Sequence, residues 1–144
     1  MAPAMVRLLA GVAVVLAGAA LAHEHATGVA KQRMDLMEAM QKELKATAAL
    51  LERGAPAAAL QRHAEKIHEL SGHIVHLFPP GSGTGVTDAA PTIWQRWPDF
   101  VARAEALHGA AGRLAAADAT PLKPLYDDLA AACAACHKPF KLRR

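Results

Sequence analysis

Apolar residues recur along this chain in four runs, each with the three- and four-residue spacing that gathers side chains on one helix face. The first passes through Val29, Leu36, Met37, Met40, Leu44, Ala48 and Leu51. The second runs through Leu60, Ala64, Ile67, Leu70, Ile74 and Leu77–Phe78, and the third through Trp97, Phe100, Ala104, Leu107, Ala111 and Leu114. The fourth is Leu122, Leu125, Tyr126, Leu129, Ala132, Cys133, Cys136, His137 and Phe140. Three Gly/Pro-bearing breaks separate them: RGAP (Arg53–Pro56), FPPGSGTGVTDAAP (Phe78–Pro91) and ADATP (Ala117–Pro121). Nothing alternates with period two, and alanine fills much of the rest. The pattern predicts an all-α fold, an antiparallel four-helix bundle with helices of about 20 residues and mainly short connections.

The first 22 residues follow another rule. One basic residue, Arg7, precedes an apolar run from Leu8 to Ala20, and Ala20-Leu21-Ala22 offers small residues at a cleavage site. This is the form of a secretory signal peptide, too short for a membrane span. Cleavage after Ala22 would leave a single domain, residues 23–144, in the periplasm. No other run reaches the roughly 20 apolar residues of a spanning helix, so no stable membrane insertion is expected. The whole chain carries 16 basic and 13 acidic residues, and these are interleaved. So mild an excess, without a clustered stripe, argues against nucleic acid as a partner.

Both cysteines of the chain fall in CAACHKPF, near its end. On a helix, Cys133, Cys136 and His137 stand at i, i+3 and i+4 and share a face. The spacing C-x-x-C-H is the attachment signature of a c-type haem: two thiols add to the vinyl groups, and the adjacent imidazole becomes an axial ligand. A covalent haem would also account for a core short of large side chains, with three Phe, two Trp and one Tyr. Three other readings are weaker. A thiol–disulfide redox pair usually opens a helix beside a sheet. A zinc site lacks its second ligand pair. A disulfide across so short a gap constrains almost nothing.

At this point the chain resembles the cytochrome c prime family over nearly its whole length beyond Ala22. The resemblance rests on KQRMDLMEAM, LFPPGSGTG, PTIWQRWPDF and the C-terminal CAACHKPFK. It implies one haem c lying between the first and last helices, anchored by Cys133 and Cys136, with His137 as the proximal iron ligand. It implies that Arg33 neutralises a propionate, a role suited to a guanidinium fork. Met37 then faces the distal side of the iron, flanked by Met34 and by Met40, which lines the pocket. If Met37 only packs there, the haem is five-coordinate and high-spin, open to nitric oxide or carbon monoxide, and exchanges single electrons. If its sulfur reaches the iron, the protein is a low-spin electron carrier. A homodimer paired through the first two helices is implied too, as are small redox proteins or membrane electron-transport components as partners. No acid–base or nucleophile constellation points to an enzyme.

Two residues depart from the family pattern. Lys141 stands where arginine usually follows the haem histidine, giving a point charge without a fork. Pro139 removes the donor for the Ala135 carbonyl, and the last helix is expected to loosen after His137. Of the histidines in the second run, His63 falls at the edge of the apolar face. Glu69, His73 and His76 would project together at helical spacing, an arrangement able to bind zinc or copper, although a solvated polar face is the preferred reading. If cleavage follows Ala22, the new terminus His23-Glu24-His25 could chelate copper(II).

Overall fold

The computed structural model describes residues 26–118 and 121–143. The expected signal segment and His23-Glu24-His25 lie outside the described residues. Four long helices form the bundle: α1 (Gly28–Glu52), α2 (Ala57–Ser71), α4 (Trp97–Ala115) and α5 (Leu122–Phe140), with a one-turn helix α3 (Thr92–Gln95) before α4. None of them is long and apolar enough to cross a membrane.

The RGAP break works through its glycine. Gly54, at φ +63°, donates to the Leu51 carbonyl while Ala55 donates to that of Leu50, both at 3.0 Å. That paired closure of a helix end needs a left-handed residue. Pro56 follows and α2 begins. The expected continuation of α2 through Leu77 does not occur. The Ser71 hydroxyl donates to the His68 carbonyl at 2.9 Å, Gly72 follows, and the chain tightens into a 3₁₀ turn at Val75–Leu77. Serine competing for backbone partners, followed by glycine, is a weak context for helix. Similarly, PTIWQRWPDF is not one uninterrupted helix start. Pro98 has no N–H to continue from α3, so it occupies the first turn of a new helix, α4.

In space, α1 packs on α2, α2 on α4 and α4 on α5, whereas α1 and α5 meet at only a few points. Along the α2–α4 seam Leu60, Ala64, Ala111 and Leu114 are completely buried, and Ile67, Ala104 and Leu107 nearly so. Small side chains let these helix axes approach closely, so the alanine content is used here without loss of packing. At one end, Phe100 meets Phe78 edge-on at 4.8 Å and Phe140 at 5.5 Å between ring centroids.

The long loop after Phe78 closes over that end. Trp94 lies flat against Gly83, where a β-carbon would stand 2.5 Å from the indole ring. Further on, the loop grips the end of α5. Ala90 donates to the Phe140 carbonyl (3.0 Å) and Leu142 to that of Asp88 (2.8 Å), around a single β-bridge between Ala89 and Lys141.

Candidate functional site

The alanine-rich sequence of α5 is a strong helix former, and it carries Cys133, Cys136 and His137 on one face as the spacing requires. Both cysteines are free and half-buried, packed against the same core cluster as Leu36 and Met37 of α1 and Leu125 and Tyr126 of α5. Burial pushes both thiols up, Cys136 to about 11 against the pull of the Arg103 guanidinium. Thiol–disulfide exchange depends on the thiolate, and burial here disfavours it. His137 is exposed on α5. Partial burial and the Lys141 charge hold its imidazole below the ordinary value, which favours the neutral form that ligates metals.

Met37 is half-buried on the face of α1 that joins this cluster. Met40, one turn further, is 7% exposed and belongs to the core. Lys141 is exposed, just past the helix, with its amide donating to the His137 carbonyl at 3.0 Å.

Arg33 is buried, and loop groups surround it. Its Nε donates to the Leu77 carbonyl at 2.5 Å, and one terminal nitrogen to the Ser82 carbonyl at 3.0 Å and to Thr87 Oγ1 at 3.5 Å. The other donates to Ser82 Oγ. Its guanidinium carbon stands 4.4 Å from the Phe78 ring centroid. Burial lowers its affinity for its proton, and the ring of acceptors together with the aromatic face keeps the cation satisfied. Arg33 thus fastens the 78–91 loop to α1, a role its place in the sequence did not disclose.

The expected loosening after His137 is not found. The helix runs on to Phe140, and Arg103 of α4 donates to the Ala135 carbonyl at 2.7 Å. The expected Glu69, His73 and His76 grouping also fails, because the helix stops before His73. Among the described residues no three His, Cys, Asp or Glu side chains are placed to hold a metal. Glu69 pairs with Lys66 at 2.8 Å instead. His63 does sit at the face edge, bonded to Glu43 of α1 at 2.6 Å.

The spacing gave no hint of a second histidine arrangement. His68 and His108 stack at 3.8 Å across the α2–α4 seam. His68 Nδ1 donates to the His108 carbonyl and His108 Nδ1 to Ser71 Oγ, each at 3.0 Å. The Ser71 proton is already given to the His68 carbonyl, which assigns the tautomers. Gly112 leaves room for the rings, since a β-carbon there would come within 3.1 Å of His68.

A family model for cytochrome c′ matches residues 28–141. The chain belongs to this family. Covalent haem c is the cofactor of cytochromes c′, and Cys133 and Cys136 are the cysteines this member offers. A curated relative, cytochrome c-556 of Agrobacterium tumefaciens (strain II Chrys), is 39% identical over 70 residues, covering 46% of this chain and 57% of that protein. The match thus spans little more than half the length of that relative. Among solved structures, cytochrome c′ from Thermochromatium tepidum superposes with a TM-score of 0.73 at 27% identity, covering 80% of this chain and 95% of that one. The nitric oxide complex of a point variant of cytochrome c prime from Alcaligenes xylosoxidans gives 0.70 at 27% identity, covering 80% and 94%. A further cytochrome c′, described as having an unusual ligand-controlled dimer dissociation, gives 0.72 at 27% identity over 80% and 95%.

Proposed function

We propose that this cytochrome c′ is an exported haem protein that binds small neutral gases, nitric oxide and carbon monoxide, and passes single electrons, and that it is not a catalyst. The carrying observation is the α1–α5 seam. There two helices meet at only a few points, Leu36, Met37, Cys133 and Cys136 pack half-buried against the core, and His137 follows one residue after Cys136 on α5. A flat apolar group held there would complete the burial that the protein's own side chains leave unfinished. Cys133 and Cys136 would form the thioethers and His137 would be the proximal ligand. The haem would supply the redox couple and the gas-binding iron.

The chain's own residues do the rest. Lys141 keeps positive charge beside the imidazole and disfavours its protonation. Met37, packed against the core cluster, occupies the distal side as an apolar wall, which favours neutral diatomics over water or anions. Arg33 holds the loop over the bundle end and would serve a propionate only by releasing some of those loop acceptors. Met40 supports Met37 from the core. Pairing of two chains through α1 and α2 is part of the proposal, supported by the dimer behaviour described for one relative.

The visible spectrum of the reduced protein, with and without carbon monoxide, tests this reading. A broad high-spin spectrum that shifts with the gas is expected. Sharp bands indifferent to carbon monoxide would make Met37 the sixth ligand and electron transfer the sole task, the reading favoured if its thioether swings from the core. A protein without haem absorbance, after maturation in a host that attaches haem, would overturn both.

A further inference from the structure

The sequence of α5 contains a defect at its most sensitive place. In an α-helix the carbonyl of residue 135 is satisfied by the N–H of residue 139, and residue 139 is proline. Proline removes that donor, and its ring crowds the same carbonyl. The peptide left without a partner joins Ala135 to Cys136, directly before His137.

The neighbouring helix supplies the missing donor. Arg103 reaches from α4 and donates from its NH1 group to the Ala135 oxygen at 2.7 Å. Its Nε is fixed at the same time by Asp99, one turn earlier, at 2.9 Å. Asp99 is shared with Arg96, and both guanidinium groups lie over the Phe140 ring. The remainder of the turn is closed normally: Lys141 donates to His137, and Thr92 Oγ1 donates to the Pro139 carbonyl at 2.7 Å. The carbonyls of His137 and Pro139 are thus met by a backbone amide and a hydroxyl, and that of Ala135 by a charged donor from another helix. A cationic donor gives a stronger hydrogen bond than the peptide N–H it replaces.

We infer that Arg103 is a positioning residue: it takes the hydrogen bond that Pro139 withdraws from Ala135 and so fixes the backbone turn that carries Cys136 and His137. The inference rests on the proposed haem attachment for its functional half and on the helix geometry for its structural half.

The test is a two-by-two set in the haem-loaded full chain: wild type, Arg103→Met, Pro139→Ala, and the two combined. Two readouts are followed, the Fe(II)–His stretching band by resonance Raman and the ¹³C shift of the Ala135 carbonyl by NMR. Arg103→Met alone is expected to move both. With Pro139→Ala, which restores the backbone donor, the same substitution is expected to move them much less. Arg103→Lys, which keeps the charge without the fork, guards against a variant that fails to fold and is expected to lie between. Equal shifts in both backgrounds, or no shift in either, would overturn the positioning role. Loss of haem absorbance in the wild type would overturn the haem reading separately, since the Ala135 carbonyl shift still reports the cap without any haem.

Discussion

The α2–α4 and α1–α5 seams pack on one core cluster, and they end up as opposites. Between α2 and α4, Leu60, Ala64, Ala111 and Leu114 lose all contact with solvent, and two imidazoles stack with their Nδ1 protons committed. Between α1 and α5, Met37, Cys133 and Cys136 stay half-buried, although they touch the same core. What separates these regions is the kind of side chain each presents. The closed seam contains only groups that protein satisfies, whereas the open one carries two free thiols, a half-buried thioether and an exposed imidazole.

The largest effect that sharpens this contrast should come from truncating each seam in turn. Leu60→Ala removes a fully buried side chain, and a loss of about 2–5 kcal/mol is expected in chemical denaturation. Met37→Ala should lose about 1 kcal/mol or less and instead change carbon monoxide affinity. Equal destabilisation by both would mean that the α1–α5 seam is ordinary core.

A smaller effect is expected from two glycines of α4. At Gly112 an added methyl meets the His68 ring at 3.1 Å. Overpacking of about 1–3 kcal/mol, offset by about 1 kcal/mol of helix propensity, predicts a modest net loss for Gly112→Ala. At Gly109 the nearest side chain is the tip of Arg113 at 3.5 Å, so Gly109→Ala should gain up to about 1 kcal/mol. Thermal melting of the two variants should give opposite signs; a stabilised Gly112→Ala would show that the stacked histidines move aside freely.

The smallest effect concerns acid. Asp99 is held below its usual carboxylate value, first by its hydrogen bond to Arg103 and then by the nearby guanidinium charges. A depressed carboxylate contributes stability that is complete above its unfolded value, about 3.9, and is lost as pH falls through the folded value below it. Its exposure keeps the contribution small. The melting midpoint should therefore decline below about pH 4, and Asp99→Asn should flatten that part of the profile. An unchanged profile in the variant would remove Asp99 from the account.

Much of this was legible beforehand because it depends on neighbours in sequence. The helical stripes, the Gly54 closure and the C-x-x-C-H face all follow from spacings of two to four residues. What escaped was pairing through space. The stripe of the second run continues past Ser71, but a serine side chain and a glycine end the helix there. Pro139 announced an unsatisfied carbonyl correctly, yet nothing local could show that Arg103 would satisfy it. Arg33 was legible only through the family resemblance, and its ring of loop acceptors was not legible at all. The stacking of His68 on His108 exists only once α2 and α4 are brought together.

The 78–91 loop has a consequence for the order in which the molecule assembles. It is tied back to Arg33 across 44 to 54 residues of chain and forward to the last turn of α5 through Asp88 and Ala90. Contacts so distant in sequence form only after the entropy of closing long loops has been overcome. The clasp is held by a few hydrogen bonds outside any helix ladder, so amide exchange at Ala90 and Leu142 should outpace exchange within α2 and α4. The residues of the clasp follow directly on the turn that carries Cys136 and His137, so a loop from the middle of the chain braces the C-terminal end of that turn.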